Sequence, residues 1–237
     1  MAKRAFLLLG ILFVVSVPVF LVSSTVLWEL NEPRLYSYGF EKYDIPTLMF
    51  MSTEDLERVA AQLRDYFNND RELINVQYAG HPFFSEREVT HLRDVKLLLN
   101  RVKALRWVAL ALTLGATIAG FAMKSDAFAP QLARLAMWAG GLTLGVLLLA
   151  GLGFFIDFDR LFILFHQLSF SNDFWQLDPL RDNLIRMFPE GFWNDAAMLI
   201  VLITVIEALL LTAIGFGAGF IMRRFALDET AAVKGPS

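Results

Sequence analysis

Three histidines carry whatever imidazole chemistry this 237-residue chain has, and no cysteine competes with them. His91 has Glu88 and Asp94 three residues to either side, one turn away if the segment is helical. A carboxylate at that spacing can set a histidine's tautomer and raise its basicity, as a general base working near neutral pH requires. His166 sits among phenylalanines and is followed closely by Asn172 and Asp173. His81, within Gly80-His81-Pro82, is in turn chemistry and is expected to be a surface residue without a chemical role. The bland alternative for each histidine is a hydrogen-bonded structural residue. Without cysteine there is no disulfide, thiolate metal site or thiol nucleophile. A zinc site of two histidines and carboxylates is conceivable. The spacing matches no H-E-x-x-H pattern, so neither metal nor cofactor is expected.

The elements that must position these residues are dominated by apolar blocks. The chain is 56% hydrophobic with a mean hydropathy of +0.51. Blocks at about 5–26, 105–123, 135–156 and 196–222 each suit a bilayer core about 30 Å thick. A cleaved signal peptide is the rival reading of the first block. That block is long for a signal h-region, and Val22-Ser23-Ser24 is a poor cleavage site, so retention is expected. Lys3, Arg4, Lys124, Arg134, Arg223 and Arg224 fall on one side if both termini are cytoplasmic. Residues 27–104 then form an extracytoplasmic domain and 157–195 a second outward segment. The segment 223–237 becomes a short polar cytoplasmic tail, expected to be disordered. Arg101, Lys103 and Arg106 resist this pattern, but they end a long translocated loop, where the rule is weak. The expected location is a bacterial inner (plasma) membrane, with the histidines on its outer face. A net charge of −3 gives no reason to expect a nucleic-acid partner.

In the first outward segment, Ser52-Thr53-Glu54-Asp55 reads as a helix start, and Leu56, Val59, Ala60, Leu63 and Phe67 continue it at helical spacing. Residues 73–78 read as a strand and residues 35–50 as a weaker candidate for another. Ser85-Glu86-Arg87-Glu88 is a capping box, and its helix is expected to run unbroken into the second span. His91, Val95, Leu98 and Val102 then share one apolar stripe. Residues 154–193 hold eleven aromatics in forty residues, the composition of a headgroup-level belt. Too polar to span, the stretch reads as interfacial or re-entrant, with Phe162, His166 and Phe170 on one stripe. The fold class is therefore a mainly α membrane protein: four transmembrane helices, a small mixed α/β extracytoplasmic domain and an aromatic-rich interfacial segment. Glu207, deep in the fourth span, is expected to be neutral and hydrogen-bonded rather than catalytic. Gly141-x-x-x-Gly145 and Gly215, Gly217 and Gly219 are expected to be helix-packing surfaces.

Two stretches resemble a known family. Glu88-Val-Thr-His91-Leu-Arg-Asp94-Val95-Lys96 is similar to an E-x-x-H-x-x-D-V-K signature of the lipoprotein intramolecular transacylases (Lit), four-helix bacterial membrane proteins. His166-Gln-Leu-Ser-Phe170-Ser-Asn172-Asp173-Phe-Trp175-Gln-Leu-Asp178-Pro179, followed by Met187-Phe188-Pro189-Glu190-Gly-Phe192, resembles the family's second signature. The resemblance implies that an acyl chain moves from the sn-2 position of a lipoprotein's diacylglyceryl-cysteine to the α-amino group of that cysteine. It implies His91 and His166 as the catalytic pair, with Glu88, Asp94, Asn172 and Asp173 in support. Diacylated lipoprotein and membrane lipids would be the partners. The competing expectations are a non-enzymatic membrane protein that binds lipid or lipoprotein, and a metal-dependent membrane hydrolase.

Overall fold

A computed structural model describes residues 2–233. It is mainly helical, and it divides into two compact units. One comprises Met1–Ser24, Leu105–Ala150 and Val201–Ser237, and the other Thr25–Ala104 and Gly151–Ile200. Among the described residues, four helices are long and apolar enough to cross a membrane: α1 (Ala2–Asn31), α5 (Glu86–Lys124), α6 (Ala129–Ile156) and α9 (Glu190–Val233). Each contributes to both units. All four extend beyond the apolar blocks read from sequence. Arg223-Arg224-Phe225-Ala226-Leu227 contains no helix breaker, so α9 carries on to Val233, into the segment expected to be a disordered tail, whose last residues, 234–237, lie outside the described ones.

The first unit is built as lipid-solvated helices are. Phe13, Val17, Ala116 and Ala139 form a small buried cluster, while Leu7, Ile118, Leu149, Ile214 and Phe216 stand exposed. Backbone polar groups are satisfied within the helices, as a hydrocarbon surround demands. The hydroxyls of Ser16 and Thr113 meet at 2.8 Å and tie α1 to α5. Small residues allow close approach: a Cβ at Gly140 would lie 2.1 Å from Thr212 Oγ1, and one at Gly215 would lie 2.6 Å from the Ala133 carbonyl oxygen. The expected Gly141/Gly145 packing surface is corrected here, since nothing lies within 4 Å of a Cβ at either position or at Gly217. The helical period turns Gly140 and Thr143, not Gly141, toward α9 and the unit's interior. Glu207 is half-buried and has an interaction partner.

The second unit contains α2 (Pro33–Lys42), α3 (Ile45–Met49), α4 (Thr53–Asn68), strands β1 (Gln77–Tyr78) and β2 (His81–Pro82), α7 (Phe158–Ser169) and α8 (Asn183–Met187). The anticipated caps are in place: Ser52 Oγ accepts from Asp55 N, and Ser85 and Glu88 exchange backbone-to-side-chain bonds. Leu56, Val59, Ala60, Leu63 and Phe67 of α4 are buried in the unit's core. The strand expected within 35–50 is replaced by helices α2 and α3. Pro33 opens α2 behind the Glu32 cap, and Leu35, Tyr36, Gly39 and Phe40 are buried at helical, not alternating, spacing. The strand expected over 73–78 shrinks to two residues, paired antiparallel with β2 in the register Gln77↔Pro82 and Tyr78↔His81. Ala79 and Gly80 turn the hairpin at φ of 50° and 81°. The mixed α/β expectation is thus only weakly met by this small hairpin.

Candidate active site

Local structure explains how each histidine is presented. The Ser85/Glu88 box opens α5, and His91 lies on its second turn, 7% exposed. Asp157 Oδ1 accepts from Arg160 N to open α7, whose exposed side carries Ile163, Leu164, Phe165 and Leu168. His166, near the end of α7, is 8% exposed. The two imidazole centroids are 6.0 Å apart, with their planes tilted by 33°. Seventy-five positions apart in sequence, the two rings therefore form one cluster.

Aromatic rings enclose the pair. Phe170 lies edge-on to His91 at 5.2 Å, Phe162 is 4.4 Å and Phe165 5.3 Å from His166, and the Trp175 ring is 5.0 Å from His166. The expected stripe of Phe162, His166 and Phe170 holds only through Ser169, because Phe170 is the extended residue that ends α7. This break turns the Phe170 ring toward His91.

Each histidine has one ring nitrogen with an informative environment. His166 Nδ1 lies 2.7 Å from the Phe162 carbonyl oxygen. A carbonyl only accepts, so Nδ1 carries the proton and Nε2 of the neutral ring bears a free lone pair. Burial holds His166 below the ordinary histidine range, with the Phe162 carbonyl opposing in part. His91 Nδ1 is buried and has no hydrogen-bond partner. Such an atom is costly unless something else, such as a substrate, supplies the partner. His81 is exposed on β2.

The carboxylates expected to orient His91 engage other groups. Glu88 is 1% exposed, and both of its oxygens accept backbone N–H bonds: Oε2 from Ser85 at 2.7 Å and Oε1 from Leu184 at 2.5 Å. It joins the start of α5 to α8. Asp94 Oδ2 accepts from Asn172 Nδ2 at 2.8 Å. Asp173 lies in the turn after α7, where its carbonyl accepts from the Arg87 guanidinium. Lys96 points elsewhere, bonding the Arg71 carbonyl at 2.6 Å beneath the Tyr66 ring.

Sequence reasoning missed two contributors. Trp175 sits in an irregular loop, where no periodicity could have assigned it a neighbour. Asp182 is 7% exposed, accepting from Asp178 N at 2.7 Å and from Ser85 Oγ at 3.2 Å. It closes the loop back onto the start of α5. Among the described residues, no group of three or more His, Cys, Asp or Glu side chains is arranged to hold a metal.

Comparison with known proteins agrees with this architecture. An in meso structure of the membrane integral lipoprotein intramolecular transacylase Lit from Bacillus cereus superposes with a TM-score of 0.80 at 22% identity, covering 94% of this chain and 99% of that one. A variant of that protein, with alanine in place of one histidine, superposes at 0.76. An uncharacterized protein of Aquifex aeolicus is 26% identical over 142 residues. That alignment spans 57% of this chain and 58% of the relative's length. The profile of the family described as lipoprotein intramolecular transacylase Lit matches residues 11–193, which include both histidines. The chain belongs to this lipoprotein intramolecular transacylase Lit family.

Proposed function

We propose that this protein moves the sn-2 acyl chain of a lipoprotein's diacylglyceryl-cysteine to the α-amino group of the same cysteine, leaving an N-acyl lyso-form lipoprotein. The observation that carries the reading is the pair of buried imidazoles 6.0 Å apart in an aromatic enclosure, one with a defined lone pair and one with an unpartnered nitrogen.

The amine must be neutral to attack, and its reference pKa of about 7.7–8.0 suits a histidine base. The flanking carboxylates of His91 make it the first candidate for base, with His166 left as donor, though residue type alone allows either assignment. The tautomer at His166 favours exchanging these roles. His166 Nε2 takes the proton as nitrogen attacks the ester carbonyl, and the Phe162 carbonyl steadies the resulting imidazolium through Nδ1–H. His91 offers its unpartnered Nδ1, as N–H, to the developing oxyanion. Collapse breaks the carbonyl–glyceryl oxygen bond, and the departing oxygen receives the proton held by His166. One C–N bond forms, one C–O bond breaks and one proton moves from nitrogen to oxygen. Both reacting groups belong to one molecule, so the protein's main task is to hold them together.

A two-chain lipid anchor does not leave the bilayer, since each buried CH₂ contributes about 0.8 kcal/mol. The exposed apolar side of α7 supports an interfacial site, reached from the outer face of a bacterial plasma membrane. Both termini are cytoplasmic in this reading, with residues 27–104 and 157–195 outside. An Asn172→Cys variant should react with a membrane-impermeant thiol reagent in intact cells, and labelling only after lysis contradicts that topology. For the activity, mass spectrometry of a reporter lipoprotein's N-terminal peptide, with and without this protein, is decisive. An N-acylated, lyso-glyceryl peptide is expected. An unchanged diacylglyceryl peptide favours a non-enzymatic lipid- or lipoprotein-binding role.

A further inference from the structure

Asp94 is one helical turn from His91, yet its carboxylate engages a group 78 residues away. Asn172 uses both ends of its side-chain amide. Its Nδ2 donates to Asp94 Oδ2 at 2.8 Å, and its Oδ1 accepts from Phe174 N at 3.1 Å. The second bond nucleates a tight turn, continued by Gln176 N to the Asp173 carbonyl at 3.2 Å and Leu177 N to the Trp175 carbonyl at 3.0 Å. The Arg87 guanidinium holds the same Asp173 carbonyl from α5. This turn carries Trp175, whose ring lies 5.0 Å from His166 at a tilt of 32°. On the other side of the bond, His91 Nδ1 has no partner in spite of the nearby carboxylate.

We propose that Asp94 and Asn172 are a positioning pair: their hydrogen bond, rather than a carboxylate–imidazole contact, fixes the 172–176 turn and holds Trp175 against His166, keeping the two imidazoles in register. The pair is stronger than a neutral one because its acceptor is ionised. It couples α5, which carries His91, to the loop that covers His166. The activity arm of the test below rests on the function proposed above, whereas the exchange arm does not.

The bond can be reversed. In the double variant D94N/N172D, an amide on α5 can donate to a carboxylate in the turn, and the other oxygen of that carboxylate still accepts from Phe174 N. In N172D alone, two carboxylates face one another across hydrogen-bond distance, which disfavours ionising both. A misplacement of about 1 Å costs about 100-fold in rate. N172D should therefore lose about 10–100-fold in kcat at pH 8, with KM changed by less than about threefold. D94N keeps a weaker neutral bond and should lose several-fold. The double variant should exceed both single variants, to within about threefold of the parent, the signature of a coupled pair.

Hydrogen-exchange mass spectrometry of residues 170–178 in detergent reads the turn directly. Exchange should be faster in N172D and restored in the double variant. The proposal is overturned if the double variant is no better than D94N, because the Asp94 charge then acts on His91 directly. It is equally overturned if N172D leaves exchange unchanged. Absence of lyso-lipoprotein formation by the parent chain would sink the proposed function and leave the exchange result to decide the pair.

Discussion

The two units solve the problem of positioning side chains in different ways. In the first, helices meet through small residues, and a hydroxyl pair, Ser16 with Thr113, ties two of them inside the unit. In the second, charged and amide side chains cross between elements: Glu88 to Leu184 N, Asp94 to Asn172, Asp182 to Ser85, and Lys42 to Asp195 at 2.6 Å. The difference follows from the surroundings. Lipid is as apolar as leucine, so packing shape is what distinguishes one helix arrangement from another. A unit with its own apolar core can also bury polar groups, provided each finds a partner, and such bonds are directional. Directionality is what the proposed acyl transfer requires, since one imidazole must meet a proton and the other an oxyanion at fixed positions. The scaffold should therefore tolerate chemical change that respects volume, while the site-bearing unit should be sensitive to single atoms.

The largest expected effect breaks the site and leaves the scaffold. His91→Ala and His166→Ala should each lower N-acylation about 10²–10⁴-fold, while the protein still inserts and melts as the parent does. Lipopeptide mass spectrometry on purified variants checks this, and near-normal turnover in either one removes that residue from the mechanism. His81→Ala, on the exposed hairpin, should stay within about twofold, as surface changes usually do.

Next comes the polar tie least replaceable by packing. Glu88→Ala leaves the buried Leu184 N–H without an acceptor and removes the cap on Ser85 N, and should cost about 1–3 kcal/mol of stability. Glu88→Gln keeps an acceptor oxygen and should recover part of that loss. Thermal unfolding in detergent measures both. Equal melting of all three proteins would mean that water reaches these amides.

The scaffold should respond to volume instead. Gly140→Val places a side chain against Thr212 and the Ala208 carbonyl and should destabilise by about 1–3 kcal/mol. Gly141→Val, one residue on, meets open space and should lie within about 0.5 kcal/mol of the parent. If the two behave alike, the neighbouring helix is not where the structure has it. Glu207→Gln preserves volume and should keep at least about a tenth of the turnover, less than the loss of a general acid or base would cost.

The smallest effect is a pH dependence of stability. His166 titrates below its ordinary value near 6.5 because it is buried. The unfolded chain then binds more protons than the folded one as pH falls through that ordinary value, so folding stability drops on acidification. The unfolding temperature should decline more steeply below about pH 6.5 in the parent than in His166→Gln. Parallel curves would show the ring to be solvated.

Much of the scaffold was legible because its causes are local. Length and apolarity suffice to identify a span, since every backbone group in lipid must be bonded within its own helix. The Ser52 and Ser85 caps and the buried face of α4 are set by residues within four positions of one another. Segment 35–50 departs from the strand expected: its aromatic content favours extended structure, whereas the Glu32 cap and Pro33 start α2 and packing of α2 on α4 and of α3 on α8 completes the helical arrangement.

The site divides along the same line. That His91 and His166 were the groups to follow could be read from residue type, the neighbouring carboxylates and the absence of cysteine. Which distant partner each carboxylate chose, and that Trp175 covers His166, were decided by tertiary structure alone. Those contacts join residues 9 to 96 positions apart, and no spacing rule reaches across an irregular loop. A helical turn places Glu88 and Asp94 within reach of His91, but reach is not a bond. Each carboxylate bonds an N–H group that the fold brings to it, Leu184 N for Glu88 and Asn172 Nδ2 for Asp94, while His91 Nδ1 is left without a partner.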